Sequence, residues 1–342
     1  MSPKNLSVKI KIPKLLKSKL NNNKVLKIYK KFEKNFNINE NFAVAVSGGP
    51  DSLALAFLAK IYSMRNRIDS KFFIIDHKLR RESTKEANTV KKILKKLSIN
   101  AKILSWKEKK PIKNIQSLAR KKRYDLLFKE CDKFKLKNLV LGHHQDDLFE
   151  NFFIRILRGS GLKGLISLDV KNRIGDKNIL RPLITEKKES LIYVSKHVFN
   201  YYVKDPSNKN EKFQRIKIRN LILELEKNGL QKEKFLKNIR NLKQSDTVVN
   251  FYVNETLKNN TFFSIKKNQF ILDNKFFKQP HEIIFRAFSD IIRIIGKKYY
   301  PVRGKKLDRL IKEIKNKTSY KSTLGGCIIE KVSQTVTISR EF

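Results

Sequence analysis

The chain has 342 residues, with 77 Lys and Arg against 32 Asp and Glu, two cysteines and a formal net charge of +45. No apolar run approaches the ~18 residues a membrane-spanning helix needs. Cys131 and Cys327 supply neither a disulfide framework nor a Cys-x-x-Cys metal pair, so a soluble protein of a reducing cytoplasm is expected. The charge points to a polyanionic partner, most simply nucleic acid, although Lys, Asn and Ile are inflated together and part of the excess is compositional drift.

Residues 1–24 are lysine-rich, free of acid and of arginine, and include Asn21, Asn22 and Asn23. They read as a basic arm or a solvated helix rather than a transit peptide. From 24 to 38, Val25, Ile28, Tyr29, Phe32 and Phe36 recur at helical spacing. Phe42 to Val46 is short, apolar and β-branched, the pattern of a buried parallel strand, and Leu53 to Lys60 is rich in helix formers. Between them stand Ser47, Gly48, Gly49, Pro50, Asp51 and Ser52. Strand, glycine turn and helix in that order make an anion cradle, because glycine lets the backbone approach closely and a new helix presents free N–H groups and a positive dipole end. Ser47 and Ser52 add hydroxyls, with Ser52 the expected helix-start residue. Asp51 would repel phosphate unless a divalent cation lay between them, which implies Mg²⁺. The Gly-Lys-Ser/Thr of a Walker A loop is absent.

Ser-Gly-Gly-Pro-Asp-Ser resembles the PP-loop of the ATP pyrophosphatases. That resemblance implies ATP as co-substrate, cleaved between its α- and β-phosphates, with AMP passed to a substrate oxygen.

Lys71 to Asp76 reads as a second strand, and Asp76 and His77 at its carboxyl end are placed to line the same crevice as Asp51. A helix from Ser83 to Leu97, a third strand from Ala101 to Ser105 and a helix from Ile115 to Cys131 follow. On the latter, Arg120 and Arg123 share a face and suit bidentate phosphate contact. The fourth strand, Asn138 to Gly142, runs into His143, His144, Gln145, Asp146, Asp147, Leu148, Phe149, Glu150 and Asn151. His143 and Asp147 at i,i+4 would allow zinc on a helix. The strand-end setting near the glycine loop favours instead carboxylates that hold Mg²⁺ or orient an amine.

A helix from Leu148 to Leu157 ends at Arg158 and Gly159, placed to meet a phosphate. Ile179 to Leu183 is a short strand and Lys187 to His197 a helix. Asp205, Pro206, Ser207 and Asn208 precede another helix carrying Arg215 and Arg219 on one face. Helical stretches then run to Lys258, a β-like pair spans Phe262 to Leu272, and helices are expected from His281 to Ile295 and Lys305 to Ile314. The tail reads as a hairpin of two strands, Thr323 to Glu330 and Thr335 to Ser339. The expected fold is α/β: an open five-stranded parallel sheet in residues 25–220, with a mainly helical region appended at 221–342.

Across most of the chain from about residue 40, the segments at 76–86, 118–124, 142–151, 158–165 and 205–219 are similar to those of lysidine synthetases, a family within that superfamily. Lys78 departs from the family's glycine and Asn151 from its threonine. The resemblance implies an ATP-dependent ligase joining free L-lysine to the 2-position of the wobble cytidine of a CAU-anticodon tRNA(Ile), with release of AMP and pyrophosphate. It implies that Ser47 to Ser52, Asp76 and His77 hold the nucleotide and that Asp51 and Asp146 hold Mg²⁺. Asp51, Asp146, Asp147 and Arg123 would serve the chemistry, one of Asp146 and Asp147 as base or amine-positioning group. Arg120, His143, Glu150, Arg158, Arg215 and Arg219 would meet lysine or tRNA, the latter through the 221–342 region. A tRNA thiolase and a non-catalytic RNA-binding relative are the alternatives, and a homodimer is left open.

Overall fold

The computed structural model describes residues 13–106, 115–203, 214–298, 302 and 304–341. The chain divides into two compact units, Met1–Leu230 and Gln231–Phe342. The division falls beyond the boundary at 220 expected from sequence, because the helix bearing Arg215 and Arg219 continues to Lys227.

Unit one opens with α1 (Lys14–Leu20) and α2 (Asn23–Asn35), the latter capped by Asn22, whose side chain accepts the amides of Lys24 and Val25. Leu16 and Leu20 are buried in the same core as Val25, Tyr29 and Phe32. The described part of the supposed basic arm is therefore part of the fold; residues 1–12 lie outside the described residues. There follow β1 (Phe42–Val46), α3 (Pro50–Asn66), β2 (Ser70–Asp76), α4 (Ser83–Lys96), β3 (Ala101–Ser105), α5 (Ile115–Lys133) and β4 (Asn138–Val140). Then come α6 (Gln145–Ile156), α7 (Leu162–Leu165), β5 (Lys171–Ile174), β6 (Lys177–Leu180), α8 (Lys188–Phe199) and α9 (Gln214–Lys227).

The sheet order is β3-β2-β1-β4-β6-β5. Five strands are parallel, with Val44 opposite Phe72 on one side and Val140 on the other. The sixth, β5, was not expected and pairs antiparallel with β6 at the edge. Side chains alternate across a sheet, and the core divides accordingly. Phe42, Val44, Val46, Phe72, Ile74 and Val140 join α1 to α4 and α8 on one face. Ala43, Phe73, Leu139 and Ile179 join Leu127 and Cys131 of α5 on the other. Both faces being covered, the carboxyl ends of the strands are left as the open edge.

Unit two comprises α10 (Lys232–Asn260), β7 (Thr261–Ser264), β8 (Gln269–Leu272), α11 (Asn274–Phe277), α12 (His281–Ile295), α13 (Gly304–Asn316), β9 (Ser319–Leu324), β10 (Cys327–Val332) and β11 (Thr335–Arg340). Its five-stranded antiparallel sheet has the order β7-β8-β11-β10-β9. The tail is thus three strands, not two. Gly325 and Gly326, at φ +67° and +81°, turn the chain inside the segment read as one strand. Cys327 is buried in this unit's core.

Candidate active site

At the end of β1 the chain turns through Gly48 at φ +85°, and α3 begins at Pro50, whose ring presets the first helical φ. Gly49 is the N-cap residue, not Ser52. The Ser52 hydroxyl lies inside the turn, accepting the amides of Ser47 (3.0 Å) and Gly48 (3.1 Å) and donating to the Gly49 carbonyl (3.0 Å). Ser47 Oγ stands 3.1 Å from Ser52 Oγ. Two amides expected to face an anion are therefore spent on the loop's own shape, and the anion-binding capacity passes to the first-turn amides of α3. Remote segments hold the loop: the Val203 amide donates to Gly48 O (2.9 Å) and Ser195 Oγ of α8 to Pro50 O (2.6 Å). At Gly142, just past β4, a Cβ would lie 3.1 Å from the main-chain carbonyl of Asp51, so the second strand end abuts the first turn of α3.

That approach brings the second cluster onto the loop. His144 caps α6: its Nδ1 accepts the Asp146 amide (3.2 Å), and its own amide donates to Asp147 Oδ2 (3.0 Å). With Nδ1 accepting, the ring's other nitrogen carries the proton. Nε2 lies 3.6 Å from both Asp51 Oδ2 and Asp147 Oδ2. Asp147, rather than Asp146, is thus the side chain sharing a histidine nitrogen with Asp51; Asp146 meets His144 through its main chain. Burial raises the Asp51 carboxyl above its ordinary range, only partly countered by His144 and Lys188. Burial also pushes Asp147 upward, but His144, His143, the His144 amide and Arg215 outweigh it and hold the group below the usual carboxylate range. Asp51 Oδ1 is buried without a hydrogen-bond partner among the described residues. An unpartnered anionic oxygen beside an anion cradle fits a hard cation that takes most of its remaining ligands from water and phosphate. Among the described residues no group of three or more His, Cys, Asp or Glu side chains is gathered as a metal site.

Around these acids stand arginines from several elements. Arg219 of α9 binds Glu150 Oε1, while Glu150 Oε2 is buried and unpartnered among the described residues. Burial raises the Glu150 carboxyl despite Arg219. The charges of Asp147 and Asp146 also reach Arg219, and that of Arg215 reaches Asp147. Arg120 is exposed and lies over the Tyr124 ring; Arg123 donates to His77 (3.3 Å). Burial, followed by the Arg123 charge, lowers His77 to about 4, so its ring is neutral at physiological pH. Arg158 is exposed and donates to Gln214 at the start of α9 (3.0 Å).

Asp76 sits at its strand end but is already engaged. One oxygen accepts the Ser83 hydroxyl (2.7 Å) and the Lys78 amide (3.0 Å), the other the Thr84 hydroxyl (2.7 Å). These bonds tie the end of β2 to the start of α4. Asp205 to Asn208 lie outside the described residues. Two residues of this edge carried no role in the sequence reading. The Nδ1 bond that turns His144 toward Asp51 and Asp147 needs the α6 cap to be seen, and Arg181, buried just after β6, looked like one more basic residue in a basic chain.

The PP-loop domain family matches residues 18–226. The tRNA(Ile)-lysidine synthase of Orientia tsutsugamushi (strain Boryong) is 35% identical over 315 residues, covering 90% of this chain and 71% of that protein. The tRNA(Ile)-lysidine synthase of Rickettsia akari (strain Hartford) is 32% identical over 326 residues, 92% of this chain and 74% of that one. Among solved structures, the U34-tRNA thiolase NcsA from Methanococcus maripaludis superposes with a TM-score of 0.56 at 18% identity, over 65% of this chain and 78% of the other, a likeness of fold alone. The glycine loop, the acids behind it and these relatives together mean that the chain belongs to the tRNA(Ile)-lysidine synthase family of PP-loop proteins.

Proposed function

We propose that this chain ligates L-lysine to the 2-position of the wobble cytidine of a CAU-anticodon tRNA(Ile), through an adenylated tRNA and at the expense of ATP. The observation that carries the reading is Asp51, with its unpartnered buried oxygen, gathered with His144 and Asp147 at one strand edge. In the first step the cytidine 2-oxygen attacks the α-phosphorus and pyrophosphate departs. In the second the lysine ε-amine bonds to C2, AMP leaves with its oxygen, and the amine gives up its extra proton.

The first-turn amides of α3 hold the phosphates and orient the α-phosphorus for in-line attack. Asp51 and a carboxylate of the Asp146–Asp147 pair would hold Mg²⁺, which neutralises charge on the leaving pyrophosphate. Asp147, kept ionised by its neighbours, attracts and orients the lysine ammonium. Arg120, Arg123, Arg215 and Arg219 offer planar donors to phosphates and to the extruded base. Unit two contributes tRNA contacts: its α10 bears lysines and exposes Phe251 and Tyr252, suited to stacking on bases. Sulfur transfer has no support in the cysteines. Cys131 and Cys327 are both buried in hydrophobic cores, and burial pushes each thiol up to about 11.

The test is incubation with ATP, Mg²⁺, radiolabelled lysine and a panel of tRNA transcripts. Label entering only the CAU-anticodon isoleucine species, with matching AMP and pyrophosphate, is expected. Incorporation into none of them, or AMP release indifferent to tRNA, would overturn the reading.

A further inference from the structure

Arg181 is 4% exposed and spends its guanidinium on polar partners at the strand edge. Its Nε donates to His143 Nδ1 (3.1 Å), and one terminal nitrogen donates to the Asp169 carbonyl (3.0 Å) and to Asn172 Oδ1. Its main-chain amide donates to Val170 O (2.7 Å). Three of these partners flank or lie on the antiparallel edge strand β5, so the β5–β6 hairpin fixes where the guanidinium points. Arginine has donors and no acceptor. The histidine nitrogen facing it must therefore present a lone pair, and a neutral ring then carries its proton on the other nitrogen. Burial, with Arg181 and Arg120 adding to it, keeps His143 neutral, near 3, against the pull of Asp147.

We propose that Arg181 is a positioning residue that locks His143 as the Nε2–H tautomer, making it a hydrogen-bond donor to a substrate oxygen and removing it as a candidate base. The inference rests on the reading of His143 as a substrate-facing group. The proton taken from the lysine amine then goes to a carboxylate, not to this imidazole.

The tautomer is read by long-range ¹H–¹⁵N correlation on the full chain labelled with ¹⁵N-histidine. There are only five histidines, and His143 is assigned by the signal lost in His143→Gln. The wild-type protein is expected to show the Nε2–H pattern for His143. An Nδ1–H pattern overturns the proposal without any variant of Arg181 having to fold, and independently of whether lysine is ever incorporated. Arg181→Met is expected to mix the tautomers and to lower kcat by about 10- to 100-fold, with KM for ATP moved far less. The double variant R181M/H143Q should be no slower than H143Q. Losses that multiply in the double variant would mean that Arg181 acts by some route other than His143, and would overturn the assignment.

Discussion

Gly48→Ala separates two reasons for a glycine in the loop. The residue sits at φ +85°, where an L side chain costs ~1–2 kcal/mol. A methyl built there would lie 2.6 Å from Val90 Cγ2 and 2.9 Å from Val203 Cγ2. Val90 is fully buried on α4, and a β-branched side chain in a helix has essentially one χ1 to use, so it cannot swing aside. Overpacking of this kind adds ~1–3 kcal/mol. The sum, about 2–5 kcal/mol, converts to a fall in Tm of roughly 4–20 °C for a unit of this size. Gly49→Ala is the matched control. Its φ is −69° and its new methyl would meet nothing nearer than Ser47 Oγ at 3.8 Å, so its Tm should hardly move. Thermal unfolding by circular dichroism compares the two, and calorimetric titration with ATP follows. Gly49→Ala should unfold normally yet bind ATP more weakly, because the proposed cradle needs phosphates to approach a bare main chain there. A Gly48→Ala protein melting within a degree of wild type, or a Gly49→Ala protein melting as early, would refute the assignment of the two glycines.

Asp51 gives a pH-dependent expectation. Burial first, against the pull of His144 and Lys188, raises its pKa in the folded protein, so its favourable contribution is complete below the ordinary carboxylate pKa of about 4 and is lost as pH rises through the raised value. At pH 7 Asp51→Asn should therefore raise Tm while abolishing AMP release, and a lowered Tm would contradict the burial argument. Gly142→Ala should slow turnover by about 10-fold or more with less effect on stability, since its methyl pushes on the Asp51 main chain at 3.1 Å; unaltered kinetics would count against that contact. In unit two, Arg286 is 2% exposed and binds Asp246, Glu282 (2.7 Å) and Asn250 (3.2 Å), joining α12 to α10. Arg286→Ala strands Asp246 and should cost about 3–5 kcal/mol in denaturant unfolding; a loss below ~1 kcal/mol would demote the cluster to a surface pair.

The parts legible in the sequence are those whose signal is local. The run from Phe42 to Lys60 carries strand, turn and helix in consecutive residues, and the four acids and histidines from His143 to Asp147 are visible as a block. What escaped depends on partners far along the chain. Lys171 to Ile174 is polar with half its residues exposed, as an edge strand must be, so it lacks the apolar pattern that marks β1 or β2. Ser52 looks like a helix cap because serine so often is one; only the turn through Gly48 puts its hydroxyl under two loop amides. The strand-end position of Asp76 was readable, but the hydroxyls of Ser83 and Thr84 that engage it come from the next helix and were not. Leu16 and Leu20, one helical turn apart, were a readable sign that α1 belongs to the core, masked by the surrounding lysines.

Neighbouring parallel strands β1 and β4 each hand over to a helix at the same end of the sheet, so α3 and α6 both begin there. Part of the positive potential at that edge thus comes from peptide groups, which do not titrate. Raising the pH far enough to discharge lysines, or substituting surface basic residues one by one, should erode tRNA affinity well before the grip on a nucleotide's phosphates loosens.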